Sequence, residues 1–131
     1  MRKSEKIQVM ILVSFLLISI SCNTQPKATE DISVKNDNFK VTFIELGSVK
    51  CIPCQQMQPV MKSVEEKYGT QVNVVFHDVW TDAGAPFGKK YGIEAIPTQV
   101  FLDEDGKEYF RHVGFFPEEE LVKVLKQKGV N

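Results

Sequence analysis

The feature that most constrains the fold is a strand, a helix and a second strand that follow one another in the first half of the folded region. Residues 39–46 are rich in β-branched and aromatic side chains, which predicts a strand buried on both faces. Apolar residues recur at helical spacing over residues 57–68, and Gly69 ends the pattern. Residues 72–79 predict the second strand. Two strands joined by a helical crossover pair in parallel with a right-handed connection, so we expect an α/β fold.

The second half of the chain predicts a short helix, a strand hairpin and a final helix. Residues 81–91 form a weaker helical pattern that two glycines and a proline interrupt. Residues 98–102 and 107–113 flank an Asp-Gly pair, which favours a tight hairpin turn. We expect the last helix to begin with Pro117 at its first position, with glutamates in the opening turn and lysines towards the end. The order βαβ and then ββα predicts a central mixed sheet flanked by helices.

Size and charge limit the classes of function. A chain of 131 residues is long enough for one compact domain and too short for two. Its hydrophobic fraction of 43% and charged fraction of 25% are typical of a soluble globular protein. The formal net charge of −1 and the lack of a basic stripe in the sequence indicate that nucleic acid is not a partner.

The first 21 residues have the pattern of a secretory signal peptide. A basic start, residues 1–6, precedes an uncharged run, residues 7–20, and the small residue Ser21. The uncharged run is shorter than the ~20 apolar residues of a membrane-spanning helix. Cys22 follows directly and resembles the cysteine of a bacterial lipobox, which is diacylated and becomes the mature N-terminus. An uncleaved anchor and cleavage to a soluble form are the alternatives, and all three export the rest of the chain.

A tether and one domain follow the signal. Residues 22–37 are mostly polar, which predicts a flexible tether, and residues 32–34 are a candidate for a short first strand. We expect the structured domain to extend from residue 38 to residue 131.

Cys51 and Cys54 are separated by two residues and lie where the first predicted strand gives way to the first helix. If the helix begins at this motif, its unpaired N–H groups and the positive end of its dipole lie beside the first sulfur. That position favours the thiolate form of Cys51, which is the form that attacks a disulfide. The charge of Lys50 adds to the effect, and Pro53 suits a first helical turn, where its missing N–H costs nothing.

Two other uses of the cysteine pair are less favourable. A static disulfide across a two-residue loop stabilises little, because the entropic benefit grows with loop length. A zinc site needs four ligands, and beyond the distant Cys22 only His77 and His112 remain. We expect both histidines to be strand residues without a catalytic role. A redox-active pair that needs no metal and no cofactor is therefore the favoured interpretation.

Further motifs around the cysteine pair resemble the thioredoxin superfamily. A proline, Pro59, follows Cys54 by five residues, and Glu45 precedes Cys51 by six. Ile96, Pro97 and Thr98 form an Ile-Pro-Thr sequence that is similar to the family's cis-proline loop. The resemblance extends over about residues 38 to 129.

The resemblance implies a thioredoxin fold and a role for each of these residues. Cys51 would be the attacking thiol and Cys54 the resolving one, and Glu45 would be a buried acid that manages the proton of Cys54. The Ile96-Pro97-Thr98 loop would lie against the disulfide and, with Lys50, contact the substrate.

Some assignments stay open at the level of sequence. Taken without the resemblance, Glu45 is an ordinary strand-end carboxylate that reaches water, and Pro97 is a trans turn proline. Trp80 and Phe87 fit either the core or the rim of a substrate surface. Lys50 stands where the family usually has tryptophan, which bears on substrate choice and redox potential.

The resulting hypothesis is an extracytoplasmic, membrane-tethered thiol–disulfide oxidoreductase that reduces disulfides in exported proteins. The resemblance implies a membrane thiol carrier as electron donor, and we expect the chain to act as a monomer. A copper chaperone that holds Cu(I) between Cys51 and Cys54 is the alternative from the binding class. A disulfide oxidase or isomerase is the third hypothesis.

Overall fold

The computed structural model describes residues 39–131. The expected signal peptide, Cys22, the tether and the candidate strand at residues 32–34 lie outside the described residues, and for them the sequence-based expectations stand as they are.

The described chain contains four strands and three helices in the order βαβαββα. The sheet has the order β2-β1-β3-β4, with β1 and β2 parallel and the other two pairs antiparallel. This arrangement confirms the expected α/β fold with a mixed sheet, built from a βαβ half and a ββα half. The elements are β1 (Val41–Gly47), α1 (Ile52–Tyr68), β2 (Val72–Asp78), α2 (Ala85–Lys90), β3 (Thr98–Asp103), β4 (Glu108–Val113) and α3 (Glu118–Lys126).

Strand β1 lies at the centre of the sheet and has a core on each face. Phe43 stacks on Phe101 of β3 with ring centroids 5.0 Å apart, on the face that α1 and α3 cover. Ile44, Leu46 and Val100 form the smaller cluster on the opposite face, against which Phe87 packs. The run of β-branched and aromatic residues in β1 therefore has the two-sided burial that its composition predicts.

Helix α1 presents one apolar stripe to the larger core. Its buried residues recur every three or four positions, which is the repeat that places side chains on one helical face. Each fully buried aliphatic or thioether side chain of this kind stabilises the fold by about 1.5–3 kcal/mol. The helix ends as predicted, because the N–H of Gly69 donates to the carbonyl of Glu65 at 2.9 Å. The buried residues are Cys54, Met57, Val60, Met61 and Val64.

Two helix boundaries differ from the sequence-based prediction. The pattern over residues 81–91 becomes a six-residue helix, α2, because Pro86 fits only in a first helical turn and the preceding residues form a turn held by Thr81. Pro117 precedes α3 with a ψ of 140°, which is outside the helical range, so α3 begins at Glu118 and Pro117 is its N-cap. Lys128 lies beyond the end of α3 and pairs instead with Asp103, at 3.2 Å.

The structure also assigns the aromatic residues that the sequence left open. Trp80 is 62% exposed and therefore does not belong to the core. Phe87 is half-buried and stacks on His77 with ring centroids 3.6 Å apart, so it belongs to the smaller core. Within residues 39–131, no helix combines the length and hydropathy that crossing a membrane requires.

Candidate active site

Cys51 and Cys54 form a disulfide at the N-terminal end of α1. Cys51 is the N-cap residue of this helix, and its sulfur accepts a hydrogen bond from the N–H of Cys54 at 3.4 Å. The exposed fraction of Cys51 is 8%, whereas that of Cys54 is 0%. Cys51 therefore keeps a small accessible fraction that Cys54 lacks, and it lies where free N–H groups and the positive end of the helix dipole stabilise a thiolate.

The loop before Cys51 is held by a network of hydrogen bonds. The N–H of Cys51 donates to the carbonyl of Ser48 at 3.1 Å, and the N–H of Val49 donates to Asp78 at 3.3 Å. Desolvation opposes ionisation of Asp78, but the N–H groups of Val49 and Trp80, the Ser48 side chain and the charge of Lys50 together hold the pKa of Asp78 below its usual value. Asp78 was missed at the level of sequence, since it reads there only as the end of a strand. Lys50, the predicted substrate contact, is exposed.

Glu45 is completely buried in the middle of the sheet. It is aligned with Gln99 of β3, whose Nε2 donates to Oε2 of Glu45 at 3.0 Å. Burial raises the pKa of Glu45 from 4.5 to about 7, and the hydrogen bond from Gln99 partly offsets that rise. The interpretation of Glu45 as a strand-end carboxylate that reaches water is therefore wrong.

Gly47 lies close to both the carboxyl group of Glu45 and the sulfur of Cys54. A Cβ atom placed on Gly47 would lie 3.2 Å from Sγ of Cys54 and 3.3 Å from Oε1 of Glu45. The sulfur and the carboxylate oxygen therefore border the same small space, which any side chain at position 47 would fill. Among the described residues, Oε1 of Glu45 has no hydrogen-bond partner. A buried carboxyl with a pKa near neutrality and a free oxygen beside a thiol is suited to exchange a proton with that thiol.

The Ile96-Pro97-Thr98 segment lies at the same end of the sheet as the cysteines. The Ile96–Pro97 peptide bond is cis. Thr98 begins β3 and is aligned with Leu46 near the end of β1, so the loop before β3 is adjacent to the loop that carries Cys51. The N–H of Gly114 donates to the carbonyl of Pro97 at 2.8 Å and ties this loop to the end of β4.

Exposed apolar side chains are concentrated around the disulfide. The largest of them in the described chain lie just after β1 and β2, at or just after the end of β4, or at the start of α1, and these positions all lie at one end of the sheet. We call this set the apolar rim, and it consists of Val49, Ile52, Trp80, Val113 and Phe115. A cluster of exposed apolar residues around a reactive group is typical of a surface that binds other proteins.

The sequence-based prediction named the cysteines, the acid and the proline loop as site residues but gave no role to Gln99 or Gly47. The signal for Gln99 was a polar residue inside an otherwise apolar strand, and the signal for Gly47 was a glycine two residues after a buried acid. Across residues 39–131, no group of three or more His, Cys, Asp and Glu side chains is arranged to hold a metal ion.

Comparisons with known proteins agree with this geometry. Residues 25–129 match the family model described as a thioredoxin-like domain. Thioredoxin H5 of Arabidopsis thaliana is 30% identical over 111 residues, which cover 85% of this chain and 91% of the relative. The thiol:disulfide interchange protein TxlA homolog of Synechocystis is 28% identical over 82% of this chain and 58% of its own length.

A solved structure is also similar. A mutant thioredoxin from Halobacterium salinarum superposes with a TM-score of 0.63 at 28% identity, over 72% of this chain and 79% of that one. The family model, the relatives and the dithiol pair at the start of α1 converge on one assignment. This chain belongs to the thioredoxin-like family of thiol–disulfide oxidoreductases.

Proposed function

We propose that the chain is an exported, membrane-tethered reductase of disulfides in other exported proteins. The observation that carries the proposal is the asymmetry of the cysteine pair. Cys51 is 8% exposed and caps the helix N-terminus, which favours its thiolate, whereas Cys54 is completely buried next to the space that Glu45 borders. One sulfur is thus placed to attack and the other to resolve.

The reaction proceeds in two exchanges. The Cys51 thiolate attacks a client disulfide, the client S–S bond breaks, and one client sulfur leaves as a thiolate. Cys54 then attacks the Cys51 sulfur of the mixed disulfide, and the second client sulfur leaves as a thiolate. Glu45 takes the proton of Cys54 in this second step. Two electrons pass to the client, which is reduced to a dithiol, and the protein is left with the Cys51–Cys54 disulfide.

Two features support a protein as the substrate. The apolar rim lies at the same end of the sheet as the disulfide and offers contact area to an apolar client segment. The loop that contains Ile96, Pro97 and Thr98 lies beside Cys51 and can pair with an extended client segment through its backbone. Lys50 is exposed in the loop next to Cys51 and is placed to contact the same client.

Export and tethering rest on the sequence of residues 1–37. We propose that the signal is removed before Cys22, that Cys22 is diacylated, and that the following tether holds the domain at the membrane surface. A dithiol outside the cytoplasm needs a source of electrons, so we propose a membrane thiol carrier as donor. The domain acts as a monomer in this proposal.

The experiment that tests the proposal is trapping of clients by Cys54→Ala in the native host. Without the resolving thiol, the mixed disulfide on Cys51 persists, and the captured proteins are released by reductant and identified. The double variant Cys51→Ala/Cys54→Ala is the matched control. We expect exported, cysteine-containing proteins on the single variant and none on the control. An empty trap, together with a Cys51→Ala strain that has no defect, would refute the proposal.

Two further measurements separate the alternatives. A reduction potential above that of the glutathione pool would indicate an oxidase or isomerase rather than a reductase. Tight stoichiometric binding of Cu(I) by the reduced protein, with negligible disulfide reductase activity, would indicate a copper chaperone. Cell fractionation of wild type and Cys22→Ala tests the lipid anchor, because loss of the anchor moves the protein out of the membrane fraction.

A further inference from the structure

Gln99 is a buried polar residue in the apolar strand β3, directly opposite Glu45 on β1. Its exposed fraction is 0%, and its neighbours on β3, Val100 and Phe101, belong to the two cores. A buried amide is costly unless its groups are hydrogen-bonded, and among the described residues only the nitrogen of Gln99 has partners, whereas its Oε1 has none. Its contacts therefore indicate what it does.

The amide of Gln99 is held in one orientation by two acceptors. Its Nε2 donates to Oε2 of Glu45 at 3.0 Å and to the carbonyl of Gly114 at 3.1 Å. A backbone carbonyl can only accept, so the side of the amide that faces Gly114 must be the nitrogen. Gly114 is itself anchored to the proline loop, because its N–H donates to the carbonyl of Pro97. Gly114 has a φ of 95°, a conformation that glycine adopts without strain.

Because the side-chain amide of Gln99 cannot flip, the two oxygens of Glu45 have different surroundings. Oε2 always faces the N–H of Gln99 and must accept from it, so it has no room for a proton on that side. Oε1 has no partner among the described residues and borders the space beside Gly47 that Sγ of Cys54 also borders. The exchangeable proton of the carboxyl group therefore belongs on Oε1.

We propose that Gln99 is a positioning residue that directs the proton of Glu45 to Oε1, the oxygen next to Cys54, and stabilises the ionised form that receives it. This inference rests on the proposed role of Glu45 in the resolving step. In that step Cys54–SH, the mixed disulfide on Cys51 and the Glu45 carboxylate become the Cys51–Cys54 disulfide, a client thiolate and a Glu45 carboxyl protonated on Oε1.

Several ionisable groups lie around Glu45, but the hydrogen bond that the structure shows to its carboxylate comes from Gln99. On the same face of the sheet, α1 contributes Cys54 and β4 contributes His112, which is paired with Gln99. Strand β2 contributes Asp78, whose carboxylate accepts the backbone N–H groups of two loop residues. Burial is the larger influence on the pKa of Glu45 and raises it, whereas the hydrogen bond from Gln99 lowers it. Removal of the donor should therefore make Glu45 harder to ionise.

The direct test is spectroscopy of Glu45 in the oxidised full-length protein with ¹³C-labelled glutamate. In Gln99→Leu, which is close in shape and lacks the donor, we expect the titration midpoint of the Glu45 carboxyl to rise by about one pH unit. The infrared carbonyl band of protonated Glu45 should move to higher wavenumber, because its C=O oxygen, Oε2, no longer accepts a hydrogen bond. Glu45→Gln identifies the signals, and Gln99→Met serves if the leucine variant does not fold. An unchanged midpoint and band would overturn the inference.

The kinetic test follows the reduced full-length protein mixed with excess 5,5′-dithiobis(2-nitrobenzoate). Attack by Cys51 releases one coloured thiolate, and resolution by Cys54 releases the second. At pH 7 we expect the second phase of Gln99→Leu to be about fivefold slower than in wild type, since a pKa near 8 instead of 7 leaves less carboxylate. At higher pH the two rates should converge. Gln58→Leu, on the exposed face of α1, is the control.

The outcomes separate this inference from the proposed function. A wild type that releases no second thiolate would overturn the proposed function and the inference with it. If wild type resolves normally but Gln99→Leu has the same pH profile, only the inference fails. In a Glu45→Gln background, Gln99→Leu should have no further effect on the pH profile. A further change there would show that Gln99 acts independently of Glu45 and would also overturn the inference.

Discussion

Replacement of the buried acid should change how the stability of this protein depends on pH. Glu45 is completely buried, and its pKa rises from 4.5 to about 7 because burial disfavours the charged form. The folded chain therefore holds a proton between these two values that the unfolded chain has released. Stability falls as pH rises through this window, and the penalty is fully present above pH 7. Below about pH 4.5 both states are protonated and the penalty is absent.

The size of this effect follows from the two pKa values. Because one pH unit is worth about 1.4 kcal/mol, the ionised Glu45 destabilises the folded state by about 3 kcal/mol above pH 7. Glu45→Gln keeps the shape and removes the charge. We therefore consider the free energy of unfolding of Glu45→Gln minus that of wild type. This difference should be about 3 kcal/mol larger at pH 8 than at pH 4. Other carboxylates titrate equally in both proteins, and their contributions cancel in the difference.

The assay is urea denaturation of the oxidised proteins between pH 4 and pH 8. Urea is uncharged and does not screen the electrostatic effect, and the extrapolated free energy is plotted against pH for each protein. Glu65→Gln, an exposed glutamate on α1, is the matched control and should follow wild type. If the curves of wild type and Glu45→Gln run parallel over the whole range, Glu45 does not carry a raised pKa, and its proposed role in proton transfer loses its physical basis.

Three further predictions concern other parts of the structure. Gly47→Ala places a methyl group between Cys54 and the acid, so it should slow resolution in stopped-flow thiol exchange and lower the free energy of unfolding by about 1–3 kcal/mol. Gly88→Ala, whose Cβ would have ordinary contacts of 3.6 Å, is the control and should do neither. Phe101→Ala removes a fully buried ring and should lower the free energy of unfolding by about 3–5 kcal/mol; a loss below about 1 kcal/mol would contradict the packing described. Trp80→Ser should raise KM for a protein disulfide and leave the rate with a small aromatic disulfide unchanged; equal effects on both would argue against the apolar rim as a docking surface.

Much of the fold could be predicted from the sequence because its helices, strands and turns depend on local residue patterns. The stripe of apolar residues in α1, the two-sided burial of β1 and the Asp-Gly hairpin each depend on residues a few positions apart. The boundaries of α2 and α3 could not be placed to the residue, because the Thr81 side chain holds a turn before α2 and the ψ of 140° at Pro117 is set by the loop before α3.

The sequence by itself determined the reacting atoms of this protein. Two cysteines separated by two residues, placed after a buried strand and before an amphipathic helix, are sufficient to predict a thiolate at a helix N-terminus. Glu45 and the Ile96-Pro97-Thr98 loop were identified by resemblance, which implied that they lie near the cysteines but not which residues hydrogen-bond to them.

Only the tertiary structure decided how the proton of the second thiol can be managed. Glu45 and Gln99 are 54 residues apart in the chain and become neighbours because β1 and β3 pair antiparallel in one register. Gly47 leaves room between the acid and Cys54 only because α1 packs its first turn onto the end of β1. The physical reason is that burial and hydrogen bonding, which control ionisation, depend on contacts between distant segments that no local pattern records.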